Sequence, residues 1–298
     1  MSSNLEHLIR RVEQVLERFE ATLPQSHPAP DWKKTLACRW RKRGSAGFLQ
    51  PVVHPHKIRV SDLQGIDDQV RLIERNTRQF IEGLTANNVL LTGARGTGKS
   101  SLVKALLNKY SSKGLRLIEV DKQDLTDLPD IVDTIADVPW KFILFCDDLS
   151  FDAEEPGYKA LKVILDGSIS ATSENLLIYA TSNRRHLMPE FMKENLETKY
   201  LGEEIHSGET VEEKISLSER FGLWVSFYPF DQDEYLTIVD YWLGELGVAE
   251  RERNAEVRNE ALQWALTRGS RSGRVAWHFA RDWAGRHKVA LSSRRKTS

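Results

Sequence analysis

Gly93-Ala94-Arg95-Gly96-Thr97-Gly98-Lys99-Ser100 fits the pattern G-x-x-x-x-G-K-[ST] in full and constrains this chain more than any other stretch. Val89 to Thr92 leads into it as a short apolar run, and Ser101 to Leu107 leaves it with helical periodicity. Strand, glycine loop, helix is the context in which such a loop holds phosphate. Glycines let the backbone wrap closely, and successive N–H groups from Gly93 to Ser101 then point inward as a cradle. The helix N-terminus adds partial positive charge. Lys99 is expected to reach the β- and γ-phosphates of a nucleoside triphosphate, and the Ser100 hydroxyl to ligate Mg²⁺.

A second motif follows about 50 residues later. Phe142-Ile143-Leu144-Phe145-Cys146-Asp147-Asp148 is an apolar strand ending in two acids. Asp147 is placed to hold Mg²⁺ beside Ser100, and Asp148 to polarise a water for attack on the γ-phosphate. Neighbouring residues on a strand point to opposite sides, so the strand must end here for both carboxylates to face one site. Leu176 to Asn183 is another apolar strand ending in small polar residues. Asn183 can hydrogen-bond the γ-phosphate or the attacking water.

The bulk properties agree with a soluble nucleotide-binding protein. The chain has 298 residues, room for one large or two modest domains. Hydrophobic residues make up 40%, enough for a substantial core. No apolar run approaches the ~20 residues that span a bilayer. Glu6, Arg10, Arg11 and Glu13 interrupt any signal-peptide-like stretch. With only Cys38 and Cys146, a disulfide framework is not expected, and the default compartment is the cytoplasm. The net charge of −1 excludes a polycation that coats nucleic acid; any such contact needs a local patch.

Along the chain, Leu5, Leu8, Ile9, Val12, Val15, Leu16 and Phe19 recur at helical spacing, an amphipathic helix that docks on the core or pairs with a partner. Pro24, Pro28 and Pro30 then break the chain into a linker. Lys33, Lys34, Arg39, Arg41, Lys42 and Arg43, with Trp32 and Trp40, form the strongest basic patch. It reads either as a nucleic-acid contact or as a solvated helix face with its tryptophans buried. His54 and His56 lack a third metal ligand. Helices are expected over Ile66–Phe80, Leu128–Ala136 and Gly157–Ser168, and further strands over Leu115–Val120 and Leu176–Thr181. This alternation implies an α/β fold with a parallel sheet flanked by helices. After Pro229 only helices follow, at Glu234–Leu246, Asn254–Leu266 and Val275–Trp283. Three units result: 1–58, an N-terminal extension; 59–229, the α/β nucleotide-binding domain; and 230–298, a small helical lid whose tail from Ser292 is frayed.

In motif order from Val60 to Trp283 the chain resembles an AAA+ ATPase. Leu90 to Val103 and Arg220 to Phe230 resemble more closely an uncharacterised bacterial AAA+ family labelled as a domain of unknown function. The resemblance implies ATP as ligand, hydrolysis as reaction, and a homo-oligomer acting on a protein client or on DNA. It matches Asn183 to sensor 1. It matches Arg220, in Arg220-Phe221-Gly222, to an arginine finger acting in trans on a neighbour's γ-phosphate. Arg271 or Arg274 matches the lid's sensor 2, with spacing from Gly269 favouring Arg271. The acidic stretch Glu197 to Ser218, with turns at Gly202 and Gly208, is an insertion that touches a client or is a solvated loop. Most AAA+ ATPases carry Asp-Glu where this chain has Asp147-Asp148. The shorter carboxylate holds its water differently, which bears on speed.

Overall fold

The computed structural model describes residues 10–13, 28–44, 46–151, 155–166, 174–183, 200–201, 204–205 and 217–289. Of the expected N-terminal helix only residues 10–13 fall among these, and they are helical. The tail from Ser292 and most of the acidic insertion lie outside them.

The strands are β1 (Ala37–Arg43), β2 (Ala46–Pro51), β3 (Val89–Gly93), β4 (Leu115–Glu119), β5 (Lys141–Cys146) and β6 (Leu176–Ser182). The two-residue strands β7 (Tyr200–Leu201) and β8 (Glu204–Ile205) and then β9 (Leu223–Phe227) follow. Helices α1 (Asp67–Ile81), α2 (Lys99–Tyr110), α3 (Leu128–Ile135) and α4 (Pro156–Asp166) belong to the α/β unit. Helices α5 (Gln232–Glu245), α6 (Ala255–Thr267) and α7 (Gly273–Arg286) form the lid. Seven strands make one sheet in the order β2-β1-β4-β5-β6-β3-β9, parallel throughout except for the β1–β2 hairpin. The small β7–β8 pair is antiparallel and brackets residues 202–203.

Strand alternation sorts the core into two layers, as a sheet covered on both faces requires. Leu91, Ile143, Phe145 and Tyr179 face α1, α2 and the lid. Leu90, Phe142, Leu144 and Ile178 face the opposite side with Ile131 and Leu161. Helix α1 buries Ile73, Asn76, Thr77 and Phe80, one face of a 3.6-residue period, with Asp67 and Asp68 at its positive end. Its two buried polar residues are used. Tyr179 OH lies 2.8 Å from Thr77 Oγ1 and accepts from Asn76 Nδ2 at 3.1 Å, which ties α1 to the sheet centre. Burial pushes the Tyr179 phenol up to about 12, so it remains a neutral hydrogen-bonding group.

Two strand regions were not anticipated. The basic segment is neither a helix face nor an open cationic patch, though Trp32 and Trp40 are buried as the second reading has it: it runs into strand β1, which lies between β2 and β4 and is parallel to β4. Cys38 and Trp40 point inward, and the alternating basic residues meet acids. Arg39 Nε pairs with Glu119 at 2.7 Å, Arg41 with Asp121 at 2.7 Å and Lys42 with Asp127 at 2.8 Å. Trp40 Nε1 donates to the same Asp127 at 2.9 Å, so the tryptophan is anchored rather than offered to a base. The sheet therefore begins at residue 37. Strand β9 is the other unexpected member, five residues long and hidden in sequence between the insertion and Pro229. Its register sets Gly93 opposite Phe227, and a Cβ on Gly93 would stand 1.9 Å from the Phe227 carbonyl oxygen. With φ at +124°, Gly93 has to be glycine on both counts.

Candidate functional site: a phosphate-binding cleft under the lid

Strands β3, β5 and β6 lie side by side, and each releases a functional segment at its carboxyl end. Strand β6 stands between the other two, so its end falls between the glycine loop and the acid pair. Crevices beyond the carboxyl ends of parallel strands are where such sheets bind ligands. Here the cleft has a volume of about 1110 Å³ and is lined by Arg95 through Ser101, by Asp147, Asp148, Thr181 and Asn183, and by the lid.

The glycine loop runs from Gly93 to Gly98, with φ of +76° at Gly96 and +105° at Gly98. Helix α2 starts at Lys99 with Gly98 as its N-cap and no side chain on its first N–H groups, which leaves them for an anion. Thr97 Oγ1 donates to the Ala94 carbonyl at 2.8 Å and braces the loop. Gly93 and Ala94 lie behind the cleft and act through their carbonyls: Lys99 Nζ donates to both at 2.7 Å, and to Asn183 Oδ1 at 3.2 Å. Ser100 Oγ donates to Asp147 Oδ1 at 2.6 Å, which joins the glycine loop to the acid pair directly. The hydroxyl and carboxylate oxygens that meet there are hard donors of the kind Mg²⁺ takes.

Strand β5 ends at Cys146, and Asp148 turns into the left-handed region at φ +55°. This conformation, tolerated by Asp, brings both carboxylates to the cleft. Thr181 was not singled out in sequence, yet it organises this turn. Its Oγ1 donates to Asp147 Oδ1 at 2.6 Å and accepts from the Asp148 backbone N–H at 2.9 Å. The signal available was a Thr closing an apolar strand, too common to carry weight alone. Asn183 Nδ2 donates to Asp148 Oδ1.

Burial pulls the Lys99 ammonium down to about 8; Asp147 and Asp148 oppose the shift, and Arg274 and Arg95 add to it. A bound phosphate would raise that value by adding negative charge. Binding and protonation are then linked with a definite sign. Below pH 8 Lys99 is charged in both states, and affinity is flat. Above pH 8 the free protein must take up a proton to bind, so affinity should fall by up to tenfold per pH unit. Titrating ATP affinity from pH 7 to 9.5 tests this; Lys99→Arg, always protonated, should abolish the slope.

The lid closes the cleft. Ser272 is the N-cap of α7, and a Cβ on Gly96 would meet its Oγ at 2.8 Å. Gly273 packs on the Gly96 carbonyl somewhat less closely, where an added Cβ would stand 3.3 Å away. Of the two lid arginines, Arg274 lines the cleft and Arg271 does not, which reverses the ranking from Gly269 spacing. The helix starts at Gly273, two residues before the expected Val275, and Arg271 lies ahead of its Ser272 cap and is exposed. A polar clamp holds the lid's first helix. Arg59 Nη2 donates to Asp62 at 2.6 Å and to Glu245 on α5 at 2.5 Å, and Tyr241 OH donates to Asp62 at 2.7 Å. Burial pushes the Asp62 carboxyl up, but these hydrogen bonds outweigh it and hold the group below its ordinary value. The apolar end of the cleft, with Ile58, Ile66, Phe230, Trp242 and Trp277, was also unmarked in sequence, because it forms only when lid and sheet meet.

Arg220 lies elsewhere. It precedes β9 at the amino end of the sheet, the length of a strand (roughly 13 Å) from the carboxyl end where Gly93 sits. Its Nε donates to Asp166 at the end of α4 at 2.5 Å. Among the described residues no three His, Cys, Asp or Glu side chains group to hold a metal. No described helix is long and apolar enough to cross a membrane.

No curated protein matches this sequence. Among solved structures it is similar to the ORC1 protein of Aeropyrum pernix, solved in complex with DNA. The identity is 16%, the TM-score 0.52, and the match covers 76% of this chain and 61% of that one. It is also similar to a DNA replication initiation factor, at 15% identity and TM-score 0.50, covering 81% and 68%. This chain thus spans less than two thirds of the ORC1 chain. At such identities the likeness shows the fold alone, an AAA+-like α/β architecture of a mostly parallel sheet flanked by helices with helices at its C-terminal end. Residues 33–287 match a family described as a protein of unknown function, DUF815. That match takes in the edge hairpin, the glycine loop, the acid pair and the lid together, and the chain belongs to the DUF815 family.

Proposed function

We propose that this protein is a Mg²⁺-dependent ATPase that works as a homo-oligomer to remodel or load a macromolecular client. The observation that carries the reading is the contact of glycine loop and acid pair through Ser100, Asp147 and Thr181, with Lys99 and Asn183 beside them. Backbone N–H groups of the loop and α2 hold the phosphates, and Lys99 reaches the β- and γ-groups. Ser100 and Asp147 would hold Mg²⁺, which supplies charge neutralisation on the phosphates. Asp148 accepts a hydrogen bond from the attacking water, and Asn183 orients it. Water oxygen bonds to the γ-phosphorus as the bond to the ADP oxygen breaks. Arg274 approaches from the lid and Arg220 from the neighbouring subunit. The placement of Arg220 away from its own cleft supports the action in trans. Two buried free thiols, Cys38 and Cys146, each pushed up to about 12 by burial, support a reducing cytoplasmic setting.

Asp148→Asn tests the reaction. It should keep ATP binding and lower phosphate release by about 100-fold or more; unchanged release would remove Asp148 from the mechanism. A second reading, a slow ATP-controlled switch that assembles on DNA or a partner protein, is favoured by the hydrogen bond that Asn183 donates to Asp148. The DNA in the ORC1 complex and the part the other similar protein has in DNA replication initiation are in keeping with it. With β1 neutralised by acids, DNA would need another surface. Client capture by Asp148→Asn in ATP separates the two. A protein client that accelerates wild-type turnover favours the motor, and slow turnover with salt-sensitive, ATP-dependent DNA binding favours the switch.

A further inference from the structure

We propose that Arg95 reads the γ-phosphate within its own subunit, and that this contact releases Asp148 for its water. The inference rests on the ATPase reading above, which uses Arg95 only through its backbone.

The other side chains of the loop brace the loop itself: Thr97 on the Ala94 carbonyl, Lys99 on those of Gly93 and Ala94. Arg95 instead extends outward, 77% exposed, with Nη2 3.9 Å from Asp148 Oδ2. Asp148 Oδ1 accepts from Asn183, and Asn183 Oδ1 accepts from Lys99 Nζ. The contacts make a circuit that begins and ends on the glycine loop, from Lys99 through Asn183 and Asp148 back to Arg95. A cavity of about 360 Å³ is lined by three members of this circuit, Arg95, Asp148 and Asn183, and by Ser150, and those three also line the nucleotide cleft.

The Arg95–Asp148 contact is long and both partners are exposed, so it holds weakly and exchanges readily. A phosphate oxygen group carries more charge than a carboxylate and offers guanidinium a bidentate geometry. Once such a group sits beyond Lys99, it draws Arg95 away from Asp148. The carboxylate then keeps only Asn183 and is free to accept from water. ADP carries no group that far along the chain of phosphates. Arg95 therefore distinguishes the two nucleotides, and it leaves Asp148 for the γ-phosphate when there is one to attack.

The test measures affinity for ADP and for a non-hydrolysable ATP analogue, both with Mg²⁺, in wild type, Arg95→Ala and Arg95→Lys. Arg95→Ala should weaken the analogue about 10-fold, the loss of one charge-assisted contact, and leave ADP within about twofold. Arg95→Lys should recover part of the analogue's affinity. Ligand-free melting temperatures equal to wild type confirm an intact loop. Equal weakening of both nucleotides, or of neither, overturns the role of Arg95 while wild-type binding leaves the ATPase reading standing. Wild type that binds neither nucleotide overturns both.

Discussion

Lys99→Ala is expected to lower ATP affinity by at least about 100-fold and to abolish turnover. Lys99 is 6% exposed, with its ammonium over the loop at the point where the phosphates enter. A charge-assisted hydrogen bond is worth about 1.5–3 kcal/mol, and Lys99 is assigned to two phosphates, so the loss is about 3–6 kcal/mol. That corresponds to roughly 10²–10⁴ in dissociation constant. The change also strips the Gly93 and Ala94 carbonyls of their donor, so a ligand-free melting curve belongs beside the binding measurement. A variant with wild-type fold and wild-type ATP affinity would sink the nucleotide assignment.

Arg220→Ala should cost about 10³-fold in turnover, the scale of a supplied arginine finger, and leave nucleotide binding to the isolated subunit unchanged. The geometry makes a sharper experiment possible, because Arg220 and the glycine loop lie at opposite ends of one sheet. Lys99→Ala and Arg220→Ala should each be inactive alone. Mixed, they should regain part of the activity at interfaces that join an intact loop from one variant to an intact finger from the other. A co-assembled mixture that stays inactive would place Arg220 outside the reaction. Its pairing with Asp166 would then belong to a structural role. Asp166→Asn provides the control. It removes the ion pair with Asp166 but keeps the guanidinium, and should not reproduce the loss.

The glycine loop, the acid pair and Asn183 were legible because each is a local event at the end of an apolar strand. Backbone conformation and side-chain chemistry there are set by neighbours in the chain. Thr181 was not legible, since its value lies in reaching Asp147 on the adjacent strand. The basic segment misled for a related reason. Arg39, Arg41 and Lys42 read as a nucleic-acid contact or a solvated helix face until β4 and the helical turn after it bring Glu119, Asp121 and Asp127 against them. Strand β9 escaped because five residues beside an insertion show too little periodicity to register.

Sequence alone determined the fold class and the glycine loop: a 3.6-residue or two-residue hydrophobic period, and glycines where the backbone must turn left-handed, need no distant partner. Tertiary structure decided which lid arginine meets the cleft, how Asp148 is held, what neutralises the edge hairpin, and that Arg220 stands away from its own cleft. Each of these depends on segments far apart in the chain and close in space, and only the packed sheet and lid bring such residues within the few ångströms over which charge and hydrogen bonding act.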